Sequence, residues 1–323
     1  MKALVYTKYG PPNVLQLKDI EKPHQAANEL LVKVCASTVN RTDNATIKAK
    51  PFFARVVTGL LKPKKQTPGT EFSGIVEAVG EGITKFRDGD RVFGFDDQGA
   101  ESHAEYLVIS EDKLANIPEN ISYQQAAASS EGAHYAYNFI NKVPLESGQK
   151  VLVNGATGAI GSAAVQLLNY FGVTVTAVCG TANIEQVRAL GASKVIDYQK
   201  QDFTKDNELY DYVFDTVGKS SFFKCKHLLK RGGVYISSDL GFMSQNIFLP
   251  MITPLIKPLF ENKKTAAPFP LNINKTLTLV KQLMEDGKFT ALIDREYPFE
   301  QIIDAYKYVE KGHKKGNVVI NIT

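Results

Sequence analysis

Cysteine is scarce in this 323-residue chain, and Cys35, Cys179 and Cys225 stand far apart with no Cys-x-x-Cys pair. That pattern excludes a disulfide framework and suits a reducing compartment, so the cytoplasm is the expected location. Net charge is small as well: 38 Lys and Arg against 34 Asp and Glu leave +4. With no basic stripe carrying interleaved aromatics, nucleic acid is excluded as a partner. Long apolar runs are also missing. The most apolar stretch, residues 242–260, is broken by Pro250, Pro254, Lys257 and Pro258. A transmembrane helix needs about 18 consecutive apolar residues, so none is expected. The start, Met1-Lys2-Ala3-Leu4-Val5-Tyr6, enters a strand-like pattern directly and does not read as a signal or transit peptide. The 24 Gly and 14 Pro are scattered through a chain that is 44% hydrophobic, which excludes fibrous and disordered classes. What remains is a soluble globular protein of about two domains, at roughly 150 residues each.

The first third reads as β-rich. Short β-branched or aromatic runs at Leu30–Val34, Gly74–Val79 and Tyr106–Ile109 are separated by turns such as Gly80-Glu81-Gly82 and Asp88-Gly89-Asp90. Between them, the basic, aromatic-bearing segment 48–65 fits neither period and reads as a helical excursion or flap. The pattern changes at Ser122, where an N-cap residue with Gln125 three positions on opens an Ala-rich helix. Strands and helices then alternate. Val151-Leu152-Val153 is continuously apolar, as a strand buried on both faces should be. Strands follow at Val173–Val178, Val195–Tyr198, Tyr212–Asp215 and Gly233–Ile236, with helices around Ala163–Leu168 and Ile184–Leu190, the latter closed by Gly191. Such alternation predicts a doubly wound parallel sheet with helices on both faces, an α/β class. Helices at 274–285 and 299–311 and a final strand at 317–320 close the chain.

Between the first of these strands and its helix lies Asn154-Gly155-Ala156-Thr157-Gly158-Ala159-Ile160-Gly161. Gly158 lets the backbone approach a pyrophosphate, and Gly161 lets helix and strand pack closely. The helix N-terminus, with Thr157, Ala159 and Ile160, then offers N–H groups and a positive dipole end to the anion. Ala156 takes the place of the usual first glycine, so the spacing is imperfect, but strand, loop, helix and second strand fall where a dinucleotide fold requires them. An NAD-binding protein places an acid about 20 residues further on, against the ribose hydroxyls. This chain has Cys179-Gly180-Thr181-Ala182-Asn183 there, with no carboxylate before Glu185. Gly180, Thr181 and Asn183 leave room for a 2′-phosphate, Arg188 and Tyr198 are further candidate contacts, and NADP(H) is favoured. A plain turn and helix cap at Thr181 and Asn183 is compatible with this and supplies no carboxylate. None of the 14 tyrosines has Lys four residues on, which excludes the nicotinamide enzymes built on a Tyr-x-x-x-Lys pair.

Taken in order, several segments give the chain a resemblance to the medium-chain dehydrogenase/reductase superfamily, in its zinc-free quinone oxidoreductase and enone reductase branch. They are Val39-Asn40-Arg41-Thr42-Asp43, Pro68–Val76, Asp88–Gly94, Asn154–Gln166, Leu190–Tyr198 and Asp215-Thr216-Val217-Gly218. The resemblance implies a GroES-like β-rich catalytic domain around an inserted Rossmann domain. Residues 1–121 and 263–323 would form the first, residues 122–262 the second, with homodimers common. Zinc relatives carry ligands at positions that match Asn40, Thr70 and Glu131 here, and a catalytic zinc site normally needs three ligands of Cys, His or acid type. The four-cysteine structural lobe is also missing, so the resemblance implies no metal.

Without a Lewis acid, the expected reaction is hydride transfer from NADPH to an acceptor already activated by conjugation, a quinone or the β-carbon of an α,β-unsaturated carbonyl. By resemblance Asn40 and Asp43 stand near the nicotinamide, with Asp43 alternatively bracing the loop. Tyr135 is a candidate hydrogen-bond or proton donor or a packing residue, and His134 a rival donor or a structural histidine. Val217, Ser237 and Gly241 would contact the nicotinamide end, and Gly316-Asn317 would close over the coenzyme. The apolar segments 51–61 and 242–260 favour a hydrophobic acceptor, although a dimer face or, beside Lys62, Lys64 and Lys65, a membrane-surface contact stays open. A non-catalytic NADPH sensor or scaffold, and an alcohol or aldehyde dehydrogenase of the same fold, are the alternatives.

Overall fold

Strand β1 (Lys2–Val5) buries Ala3, Leu4 and Val5 and pairs antiparallel with β2 (Gln16–Asp19). The computed structural model describes residues 1–50, 52, 55–239, 245–252, 262–268 and 272–323. Gly241, residues 51 and 53, and most of segment 242–260 therefore lie outside the described residues. By its internal contacts the chain forms two units, Met1–Glu131 with Asn272–Thr323, and Gly132–Leu271.

In the first unit the long strand β3 (Glu29–Val39) buries Leu30, Val32 and Val34 against Phe72, Val76, Val92 and Leu107. It leads into α1 (Arg41–Lys48), where Asp43 accepts the backbone N–H of Asn40 at 2.7 Å and fixes the helix start. A short helix α2 (Arg55–Thr58) falls in the segment expected to be a helical excursion. Strands β4 (Glu71–Val79), β5 (Arg91–Phe95), β6 (Tyr106–Ser110) and β7 (Leu114–Asn116) follow. Helix α3 (Tyr123–Ala127) is capped as the sequence indicates, Ser122 Oγ accepting the Gln125 N–H at 3.2 Å. It stays with the first unit because Ser73 Oγ donates to the Tyr123 carbonyl at 2.7 Å.

Helix α4 (Glu131–Ile140) follows, and from Gly132 onward the chain belongs to the second unit. There β8 (Lys150–Asn154), α5 (Ala159–Tyr170), β9 (Thr174–Cys179), α6 (Ile184–Ala189), β10 (Lys194–Asp197), β11 (Tyr210–Asp215), α7 (Phe222–Cys225), β12 (Leu229–Ser237), α8 (Gln245–Ile252) and β13 (Lys264–Ala266) alternate. Every described strand pair is parallel, in the order β10-β9-β8-β11-β12-β13. Val151, Leu152 and Val153 of β8 are fully buried, which is why that strand shows no polar alternation.

The chain then returns to the first unit through α9 (Ile273–Glu285), β14 (Ile293–Pro298), α10 (Ile302–Glu310) and β15 (Asn317–Asn321). Strand β15 lies between β14, to which it is parallel, and β3, to which it is antiparallel, completing a seven-stranded sheet.

Candidate functional site

In the second unit the candidate site is the loop between β8 and α5. Gly155 has φ +86, and a Cβ there would collide with the Val217 side chain, so only glycine makes this turn. A Cβ at Gly161 would meet the Gly155 carbonyl oxygen, which holds helix and strand in close approach. Gly158 differs. Its φ is −74, open to any residue, and an added Cβ would find only the Gly155 oxygen, at 3.6 Å. No contact among the described residues needs a glycine at 158, so its bare backbone is free to take a ligand. The first-turn N–H groups of α5 have no intrahelical acceptors, and with this bare backbone they make a cradle for a pyrophosphate. The turn behind the cradle is held by Asp215, fully buried, which accepts from Asn154 Nδ2 at 2.9 Å, Gly218 N at 3.1 Å, Ser220 N at 2.9 Å and the Tyr235 hydroxyl at 3.0 Å.

At the end of β9 the structure gathers Gly180, Thr181 and Tyr198, the Tyr198 hydroxyl standing 3.2 Å from where a Gly180 Cβ would sit. It also brings in a carboxylate that scanning along the chain missed. Asp197 ends β10, pairs in register with Cys179, and accepts the Thr181 hydroxyl at 2.6 Å. That hydrogen bond is the main reason its carboxyl titrates below the usual range. The Thr181 N–H is held by Gln199 Oε1 at 3.0 Å, and Arg188 pairs with Glu185 at 2.6 Å. Asn183 ends the short turn after Gly180, its N–H bonded to the Gly180 carbonyl. The signal for Asp197 was the predicted parallel neighbour of β9, whose last residue had to lie beside this turn.

A separate candidate site lies wholly in the first unit. Asn40, Thr70 and Glu131, far apart in sequence, converge there. Asn40 Nδ2 donates to Glu131 Oε2 at 3.3 Å, to Glu71 Oε1 at 2.9 Å and to Thr38 Oγ1 at 3.1 Å. Thr70 Oγ1 donates to Glu131 Oε2 at 2.8 Å, Thr42 Oγ1 to Glu131 Oε1, Thr38 Oγ1 to Glu71 Oε1 at 2.5 Å, and the Glu131 N–H to Glu71 Oε2 at 2.6 Å. From just before β15 comes Lys314, whose Nζ donates to Asn40 Oδ1 and to the Gly316 carbonyl, both at 2.6 Å.

Burial, reinforced by the Glu131 charge, pushes the Glu71 carboxyl up to about 8 and holds the Asp43 carboxyl well above its usual range. Burial draws the Lys314 ammonium down to about 8, against the pull of Glu131, Glu71 and Asp43. Three buried carboxyls share one buried ammonium, so the cluster keeps a carboxylic proton near neutrality. As a donor set it does not suit a metal: an amide, a hydroxyl and one carboxylate stand at the matching positions, beside a cation. Glu71 and Lys314 were not singled out from the sequence, since only the pairing of β4 and β15 with β3 brings them to Asn40.

Other expected residues fall elsewhere. Asp43 serves as the brace of the α1 start, with Oδ1 buried and unpartnered among the described residues. Tyr135 stands edge-on to His134, ring centroids 5.8 Å apart, and burial lowers the His134 imidazole to about 4, leaving it neutral at pH 7. Ser237 is buried at the end of β12 and accepts the Asp239 N–H at 3.3 Å. Asn317 is buried in the first unit, its amide donating to the Ala128 and Leu292 carbonyls at 3.1 and 3.2 Å, a fastening of the fold. No helix among the described residues is long and apolar enough to cross a membrane.

Comparison with known proteins agrees with this architecture. Residues 26–119 match the family profile described as alcohol dehydrogenase GroES-like domain, and residues 190–320 that described as zinc-binding dehydrogenase. The chain is 30% identical to a 2-methylene-furan-3-one reductase of Solanum lycopersicum, covering 99% of this chain and 79% of that protein. It is 29% identical to a chloroplastic NADPH-dependent alkenal/one oxidoreductase of Arabidopsis thaliana, with 99% and 79% covered. The solved quinone oxidoreductase of Coxiella burnetii superposes with a TM-score of 0.87 at 27% identity, covering 100% of this chain and 99% of that one.

Proposed function

Because the chain belongs to the medium-chain dehydrogenase/reductase superfamily, we propose that it is an NAD(P)H-dependent oxidoreductase that reduces a quinone or the conjugated double bond of an α,β-unsaturated carbonyl. The observation that carries this reading is the pairing of two features. One unit has a glycine at 158 that no contact among the described residues requires, and the other has an Asn–Glu–Lys cluster at positions matching the metal ligands of zinc relatives.

The bound dihydronicotinamide would supply hydride, the intrinsically difficult part of the chemistry. The chain's own contribution is binding and charge control. Thr157, Gly158, Ala159, Ile160 and Gly161 would hold the pyrophosphate, and Val217 backs the loop by filling the space over Gly155. Gly180, Thr181, Asn183, Tyr198 and Arg188 would hold the adenosine end. We propose NADP(H) as the coenzyme, since residues 179–183 carry no acid and the Tyr198 hydroxyl stands beside Gly180. Asp197 tempers that preference through Thr181. Asn40 organises the polar cluster, and Asp43 fixes the backbone on which Asn40 is carried. A hydrophobic acceptor fits the apolar composition of segments 51–61 and 242–260.

We also infer a cytoplasmic homodimer. The free state of Cys35, Cys179 and Cys225 suits a reducing compartment, and the family resemblance supports the pairing. Loss of NADPH absorbance with phenanthrenequinone, benzoquinone and a panel of enones tests the activity. Turnover of at least one acceptor is expected. Calorimetrically proven NADPH binding with no turnover of any of them would overturn the reading in favour of a non-catalytic binder.

A further inference from the structure

Counting the amide, hydroxyl and ammonium hydrogens of the first-unit cluster leaves one over. The two amide hydrogens of Asn40 face three acceptors, and the hydroxyls of Thr38, Thr42 and Thr70 are each donated to a carboxylate. An ammonium has three hydrogens, and Lys314 Nζ gives two, to Asn40 Oδ1 and Gly316 O. The third has no acceptor among the described residues. Asn40 has no hydrogen left for an incoming oxygen, so the cationic donor that the cluster offers a substrate is Lys314.

We propose that Lys314 is the catalytic donor of this site, hydrogen-bonding the carbonyl or quinone oxygen of the acceptor and then protonating the reduced product. This rests on the reductase reading given above. Hydride added at the β-carbon sends the π electrons toward oxygen, where an enolate forms beside the Lys314 ammonium. An N–H bond of Lys314 breaks as its proton passes to the enolate, leaving a neutral amine that takes a proton back from water. The acceptor gains two electrons and two hydrogens in all, one as hydride from the reduced nicotinamide coenzyme and one as proton. Asn40 is then a positioning residue, holding Lys314 by its Oδ1 while its Nδ2 gathers the carboxylates. The fall of the ammonium to about 8 suits the transfer, since a donor works best when it titrates near the working pH.

The groups that face Lys314 are Asp43 and Arg41 on α1, Glu71 on β4 and Glu131 at the start of α4, with His313 and Lys315 beside it in sequence. The test uses the full-length enzyme, NADPH and an enone. Lys314→Met should lower kcat about 10²–10³-fold, the usual cost of a lost oxyanion donor, while the Kd for NADPH by titration calorimetry stays within twofold. In the wild type kcat should fall above about pH 8, and Lys314→Arg should carry that fall to higher pH. Glu71 also titrates at about 8, and a decline belonging to Glu71 would stay put in Lys314→Arg. In Lys314→Ala, added ethylammonium should restore kcat saturably, which a purely structural lysine would not allow.

A kcat for Lys314→Met within threefold of wild type overturns the proposal and leaves the reductase reading intact. So does a decline unmoved by Lys314→Arg. Should the variants fail to fold, a wild-type kcat that stays flat to pH 10 has the same force. Absence of wild-type turnover with every acceptor defeats both readings together.

Discussion

Replacing Gly158 by Ala separates folding from ligand binding, because the protein and the coenzyme make opposite demands on that position. The residue has φ −74 and ψ 168, allowed for alanine, and the new methyl meets no protein atom closer than the Gly155 oxygen at 3.6 Å. Alanine restricts the unfolded chain, a gain of about 0.4–1 kcal/mol. It is a poorer N-cap than glycine, a loss of similar size. The two offset, so the melting temperature should move by no more than about 2–4 °C. Coenzyme binding should suffer far more. A methyl pushed into a close backbone–ligand contact costs about 1–3 kcal/mol, which corresponds to a Kd for NADPH roughly 5–150 times weaker. Gly161→Ala is the control: its methyl lands on the Gly155 carbonyl oxygen, so both melting temperature and affinity should fall. Scanning calorimetry and titration calorimetry on the three proteins give the answer. NADPH bound by Gly158→Ala as tightly as by wild type would refute the claim that a ligand lies against this loop.

Three further outcomes are expected. Asp197→Asn removes a negative charge held by the Thr181 hydroxyl, and the ratio of NADPH to NADH affinity should rise about fivefold; an unchanged or lowered ratio tells against the adenosine-end assignment. His103 is fully buried, its Nε2 donating to Thr38 O at 2.8 Å and its Nδ1 accepting from the Tyr306 hydroxyl at 3.0 Å, and burial lowers it from 6.5 to about 4. Its neutral form contributes stability that is complete above pH 6.5 and lost as pH falls toward 4, on the order of 3 kcal/mol. Denaturant midpoints measured across that window should show a shallower acid slope in His103→Phe, and an identical slope would contradict the argument. Asp215→Ala leaves four donors without their acceptor, two of them buried, so urea unfolding should show a loss of about 3 kcal/mol.

Local features were the easiest to read in advance. The Ser122 cap, the Gly191 helix stop and the apolar β8 all follow from neighbours within a few residues, and each forms as its chemistry dictates. The glycine loop was legible for the same reason, although the structure moves the tight turn onto Gly155 and leaves Ala156 an ordinary buried residue. The polar cluster was half legible. Asn40, Thr70 and Glu131 stood out by matching the ligand positions of zinc relatives, but nothing local announces that Glu71 and Lys314 join them. Those two arrive through strand pairing across 31 and 274 residues of sequence, which no short-range pattern encodes. Asp197 escaped for a milder version of the same reason, its neighbour across the sheet being invisible to a scan along the chain.

The position of β15 has a consequence for biosynthesis. Val39 faces Val318 across the sheet, so the strand that completes the first unit leaves the ribosome after the whole of the second. During translation the Ala36–Val39 end of β3 must therefore wait with one edge bare, β6 already covering Glu29–Lys33, while the parallel-sheet unit has all its described strands. Trigger-type chaperone demand should concentrate on residues 36–39, and a ribosome stalled before residue 317 should display a protease-resistant second unit behind a more digestible first one.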